Sequence, residues 1–235
     1  MKSIRQLWQR YRWWIIAAPF VLILLIQLYF FAQIGWWKYY NPSSTSFMRL
    51  QLAEIQKKRP KAKLKHQWVP YRRISNNLKR AVIAAEDSTF AEHEGVDWEA
   101  ILKAYEKNAK KGKVVAGGST ITQQLAKNLF LSGSRSYVRK VQEIIITYML
   151  EFWMDKERIF EIYLNVVEFG SGVFGAQAAA KHYYQVSAAA LTPEQAARLA
   201  VLLPRPRVYG RLSHSEYLAR RTELILYRMN QVELP

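Results

Sequence analysis

The chain has 235 residues, a formal net charge of +17 and no cysteine, a length that suits one domain with an appendage. The missing cysteines exclude disulfide staples, thiol nucleophiles and Cys-ligated zinc, and four scattered His offer no metal cluster. Residues 1–80 hold 16 Lys or Arg against the single acid Glu54, so +15 of the +17 lies there, around a hydrophobic stretch, which favours anionic lipid headgroups over nucleic acid.

That stretch is residues 13–37, WWIIAAPFVLILLIQLYFFAQIGWW, which carry no charge. As a helix they would measure roughly 37 Å, enough to cross a bilayer. Trp13, Trp14, Trp36 and Trp37 sit where aromatic belts form. The apolar run is too long for a cleaved signal peptide and no small-x-small site follows it, so it reads as a transmembrane signal anchor. Lys2, Arg5, Arg10 and Arg12 precede it without an acid, which places residues 1–12 in the cytoplasm and the body of the chain outside. Residues 38–67 form a basic juxtamembrane segment, and residues 68–235 the outer domain.

From residue 76 onward the pattern is helix after helix, so the fold class is mostly α. A helix over 78–90 would stack Leu78, Val82, Glu86 and Phe90 at four-residue spacing, setting a carboxylate into an apolar stripe. Asp97 is placed to cap 98–110, and Thr120 with Gln123 makes a capping box opening 121–130. In 137–153, Val141, Ile144, Ile145, Tyr148, Met149 and Phe152 follow helical spacing and are expected to face inward. Thr192, Pro193 and Gln195 open 193–203, and Ser213 with Glu216 opens the last helix. The run GSGVFG at 170–175 superficially matches a dinucleotide fingerprint. The surrounding pattern is helical and predicts no strand before it, so close backbone packing is its expected role.

Three stretches are candidates for chemistry, each with a plain structural alternative: a Glu paired with a basic residue or turned to solvent, a good helix cap, and an ordinary i,i+4 pair between Arg139 and Glu143. Glu86 in apolar surroundings has its charged form disfavoured, which suits a general base working near neutral pH. Asp87, Phe90, His93 and Gly95 follow it in the pattern E-D-x-x-F-x-x-H-x-G. In GGSTITQQLAKNLF (117–130), a glycine-flanked helix start offers free backbone N–H groups to phosphate or sugar, with Ser119, Thr120, Gln124 and Lys127 beside it. Arg135, Arg139, Lys140 and Glu143 place cations around a second acid, as a phosphate site needs.

Taken in chain order, EDSTFAEHEG (86–95), GGSTITQQ (117–124), RKVQE (139–143), ERIFEIYLN (157–165) and LTPEQAARLAVLLPRPRVY (191–209) resemble the glycosyltransferase family 51 domain. These are the peptidoglycan polymerases found alone or at the front of class A penicillin-binding proteins. The resemblance covers roughly residues 68–210, and the chain length matches the monofunctional form. It implies a lysozyme-like helical domain against the membrane that extends glycan strands from lipid II. Glu86 would be the general base and Glu143 the second acid at the donor side. Lys140, Arg135, Lys127 and Arg139 would hold pyrophosphate, Gln124, Ser119 and Thr120 would line the cleft, and Asp87, Phe90, His93 and Gly95 would shape the first motif. The expected partners are lipid II, the growing glycan strand, membrane lipids, and cell-wall or division proteins, with no nucleic acid. The expected location is the inner membrane, single-pass, with the catalytic domain periplasmic. Some family members respond to Mg2+ or Mn2+, and no ligand cage is visible here, so metal use stays open. Two rivals remain: a muramidase on the same fold, and an idle membrane-tethered scaffold.

Overall fold

The computed structural model describes residues 2–113, 117–131, 136–212 and 215–235, with side chains at Trp13, Trp14 and from residue 17 onward. It divides into two compact units, residues 1–40 and 41–235. The first is helix α1 (Lys2–Trp37). Within it, Ala17–Trp37 spans 21 residues at a mean hydropathy of 2.0, long and apolar enough to cross a membrane.

The second unit is built mainly from helices α2 (Ser46–Lys58), α3 (Asn76–Glu86), α4 (Trp98–Lys111), α5 (Ile121–Phe130), α6 (Tyr137–Trp153), α7 (Lys156–Val166), α8 (Ala176–Tyr184), α9 (Pro193–Leu202), α10 (Pro206–Tyr209) and α11 (Glu216–Arg228). Side-chain caps explain most of the starts. Thr120 Oγ1 accepts from the Gln123 N–H at 3.2 Å while the Thr120 N–H donates to Gln123 Oε1 at 3.1 Å. Thr192 and Gln195 repeat this capping box at α9, and Asp97 caps α4 through the Ala100 N–H at 2.7 Å. Ser213 lies outside the described residues, and the N-cap of α11 is Ser215. Helix α2 falls within the stretch that reads in sequence as a basic connecting segment, and it packs on α5.

Two helical clusters meet at the site. α5 packs against α2, α6 and α7, while α3 packs against α9 and α11. The sequence pattern overruns the end of α3: the helix stops at Glu86, and Phe90 reaches its buried position from a turn. The cause is Asp87, which leaves helical geometry at φ −164°, ψ 79° and turns its carboxylate to partners outside the helix. A second correction concerns α6. Its periodicity is helical, yet the face expected to pack inward points out, with Val141 58 % and Phe152 72 % exposed. Glu143, Ile146, Thr147 and Leu150 form the buried face instead.

A small sheet also escapes the helical pattern: β1 (Lys65–His66) runs parallel to β3 (Val173–Phe174), which pairs antiparallel with β2 (Glu168–Gly170). These strands of two or three residues are too short to display alternation. The glycine run does serve close packing, since a Cβ on Gly175 (φ +82°) would lie 2.5 Å from the Asn165 carbonyl. Asn165, fully buried on α7, accepts from the Val69 N–H at 2.8 Å and donates to the Val69 and Glu161 carbonyls at 2.9 and 2.8 Å. It thereby binds the segment entering α3 to the helix behind the site. Asn165→Ala would strand both backbone groups of Val69, each at about 1–3 kcal/mol. A fall in Tm of about 4–24 °C is expected in thermal unfolding of the detergent-solubilised chain.

Candidate active site

Asp87 forms the corner of the site. Its buried carboxylate accepts from the Ile121 N–H at the first turn of α5 at 2.9 Å and from His93 Nε2 at 3.0 and 3.1 Å. His93 Nδ1 accepts from the Gly95 N–H at 3.1 Å, so this network assigns the imidazole as the tautomer with its proton on Nε2, aimed at Asp87. The Gly95 carbonyl accepts from Thr120 Oγ1 at 2.5 Å. Gly95 (φ +83°) must be glycine, because a Cβ would sit 2.7 Å from Thr147 and 2.8 Å from Glu151. Phe90 is fully buried beside Phe160, with Lys156 Nζ 4.8 Å above its ring.

With that corner fixed, Glu86 at the end of α3 faces Gln124 on α5. Gln124 Nε2 donates to Glu86 Oε2 at 2.7 Å, and Tyr163 on α7 donates its hydroxyl to Gln124 Oε1 at 3.0 Å. Burial pushes the Glu86 carboxyl above the ordinary carboxylate range. The Gln124 bond opposes the shift, Asp87 adds to it, and the charges of Arg221 and Lys127 oppose it. Glu86, Ser119 and Thr120 line one cavity of about 130 Å³ together with Gly117 and Gly118. Gln124 and Lys127 line another of about 350 Å³, walled by Phe47, Glu168 and residues 203–208.

Glu143 has the opposite surroundings. Though buried, it takes Arg139 Nη1 at 2.6 Å on one oxygen and Lys140 Nζ at 2.5 Å on the other, and Lys140 also reaches Ser119 Oγ at 3.2 Å. Arg139 Nε is buried without a partner among the described residues, an unused donor where a phosphoryl oxygen would be welcome. Lys127 stands between the two acids. Desolvation lowers its ammonium below the usual range, Glu143 and Glu86 pull it back up, and Arg139 and Lys140 push it down. Glu86, Glu143, Lys140, Arg139, Lys127, Gln124, Ser119 and Thr120 therefore gather around α5, and Arg135 lies outside the described residues.

Among the described residues no three His, Asp or Glu side chains cluster as metal ligands, and both oxygens of Glu143 already bond cations.

Sequence reasoning missed three contributors. Tyr163 stands in the EIYLN run, where periodicity marks it only as core. Arg221 reaches the field of Glu86 from α11, some 135 positions away in the chain. Arg207 donates Nε to the buried Glu168 at 3.3 and 3.2 Å and Nη1 to Glu54 at 3.0 Å, bracing a cavity wall. No local pattern announces such distant pairs.

A helical unit that sets one desolvated carboxylate and one ion-paired carboxylate about a shared helix fits an enzyme transferring a sugar from an anionic carrier. A family profile described as Transglycosylase matches residues 51–230, and the chain belongs to that family. Similar proteins bear the name biosynthetic peptidoglycan transglycosylase. That of Janthinobacterium sp. (strain Marseille) is 71 % identical over 235 residues, the whole of both chains. That of Herminiimonas arsenicoxydans is 68 % identical over the same span. That of Bordetella pertussis is 55 % identical over 225 residues, covering 94 % of this chain and 93 % of its own.

Because Glu86 has a raised pKa in the folded state, the native site holds its proton more tightly than the unfolded chain does. Its contribution to stability is therefore full below the ordinary value of 4.5 and is lost as pH rises through the folded value. Glu86→Gln removes this cost. The variant should melt above wild type at pH 7, and the gap should close near pH 4 in paired thermal scans.

Proposed function

We infer that the chain is a peptidoglycan glycosyltransferase, and we propose that it polymerises lipid II into glycan strands. The observation carrying this reading is the contrast across α5: Glu86 is desolvated with one amide donor, while Glu143 lies among cations. Glu86 takes the proton from the 4-hydroxyl of the acceptor sugar as that oxygen attacks the anomeric carbon of the donor chain. The bond from that carbon to the carrier's pyrophosphate breaks with inversion, much as in inverting glycosidases. The leaving group takes the electron pair, and Lys140, Arg139 and Lys127, joined by Arg135, meet its charge. Gln124, Ser119 and Thr120 orient the sugars, and Asp87, Phe90, His93 and Gly95 hold the first motif. A muramidase cutting finished glycan has no pyrophosphate to bind, so the cations around Glu143 speak against that rival.

The bilayer is the natural location of a substrate with a polyprenyl tail. The Ala17–Trp37 span supports a membrane anchor, and the positive flank before it supports a cytoplasmic N-terminus with the catalytic unit outside the inner membrane. The outward stripe Val138, Val141, Ile145, Tyr148 and Phe152 on α6 supports a face seated in lipid. Domain limits follow the same reading: residues 1–12 inside, 13–37 spanning, 38–67 at the surface and 68–235 catalytic. Cell-wall or division proteins are the neighbours such an anchored enzyme would meet.

The test is polymer formation from labelled lipid II. Wild type should make moenomycin-sensitive polymer, and Glu86→Gln should lose about 10²-fold or more of the rate. An unchanged rate in the variant would refute the role of Glu86. For the lipid face, the chain without residues 1–40 should float with anionic vesicles, and Val141→Ser with Phe152→Ser should weaken that binding by about tenfold or more.

A further inference from the structure

Tyr163 lies at the centre of the unit, on α7, with its side chain fully buried. Its ring is held between neighbours, stacked on Phe160 with centroids 6.4 Å apart. The hydroxyl is the one polar group it brings into this interior, and that hydroxyl donates to Gln124 Oε1 at 3.0 Å. A primary amide has two ends of nearly equal shape and opposite hydrogen-bonding character. Fixing its oxygen leaves the Nε2 end for Glu86, which accepts from it at 2.7 Å.

We propose that Tyr163 is a positioning residue for the reaction: through Gln124 it locks the amide donor onto Glu86 and so sets the base's strength and direction. The inference rests on the polymerase reading of this site. Gln124 faces the substrate groove and would be free to turn toward a sugar hydroxyl. With the Tyr163 hydroxyl behind it, turning costs a buried hydrogen bond and leaves both Tyr163 and Glu86 short of a partner. The amide thus stays aimed while the proton moves between the acceptor hydroxyl and Glu86.

The charged groups bearing on Glu86 are Asp87 from the same chain corner, Lys127 from α5 and Arg221 from α11. α9, also packed on α3, buries Ala196, Ala197, Leu199 and Ala200 and brings no charge with these residues. Tyr163 in turn is held far from ionising by its burial and by Glu86 and Asp87 nearby, so it acts as a fixed donor throughout the working pH range. Losing it loosens the donor that favours ionised Glu86, so Glu86 would keep its proton to higher pH.

The experiment compares wild type, Tyr163→Phe and Phe160→Leu for polymer formation from labelled lipid II across pH. Phe160→Leu loosens the same packing without touching a hydrogen bond of the relay. In Tyr163→Phe the acid limb of the kcat/KM profile should move up by about half a unit or more. Its kcat at neutral pH should fall about tenfold, equivalent to roughly 1.4 kcal/mol, with KM little changed. Phe160→Leu should lower Tm and leave the limb in place. The inference is overturned if the limb of Tyr163→Phe coincides with that of wild type, or if Phe160→Leu moves it equally. Absence of polymer from wild type would instead refute the polymerase reading itself.

Discussion

The buried carboxylate of Asp87 joins the two helical clusters of the catalytic unit. One oxygen meets a free backbone N–H at the first turn of α5, where the helix dipole also favours negative charge, and both oxygens take the His93 proton donor. Burying a carboxylate is costly unless it is hydrogen-bonded, and this one accepts from two donors. The bond forces α3 to end at Glu86 and α5 to begin opposite it. Glu86 and Gln124 consequently meet at hydrogen-bond distance, although 38 residues separate them in the chain.

From that corner the two acids acquire different characters. Glu86 sits at a helix end where burial raises its proton affinity, and the single amide donor of Gln124 partly offsets that rise. Glu143 emerges one helix away, between Arg139 and Lys140 on its own helix, where i,i+3 and i,i+4 spacing brings all three side chains together. Carboxylates whose surroundings differ in this way can hold different roles at one pH. The difference between the two comes from solvation and charge, since the side chains are chemically identical.

Much of this was legible in the sequence. The capping boxes at Thr120 and Thr192 marked two helix starts within a residue, because capping is local chemistry. The acids, Lys127 and Gln124 were legible as motif members. The end of α3 was not, because the pull on Asp87 comes from Ile121, which is remote in sequence. Nor was the outward stripe of α6: spacing reveals that a helix has two faces, while what covers each face is tertiary information. The Tyr163 hydroxyl was hidden for a related reason, since an aromatic at a core position says nothing of where its polar tip points. The short sheet formed by residues 65–66, 168–170 and 173–174 has too few residues per strand to leave a pattern.

Helix α6 is a single rod of 17 residues, roughly 25 Å long, with Glu143 on one side and Val141, Ile145, Tyr148 and Phe152 on the other. Seated in lipid as proposed, a rod of that kind would act as a depth gauge. The depth to which its apolar edge sank among acyl chains would set the height of Glu143 above the plane of lipid phosphates, close to which the pyrophosphate of a membrane carrier would lie. Bilayer thickness and headgroup packing would then tune the enzyme by raising or lowering its cations relative to the leaving group, with no change in the bonds inside the protein.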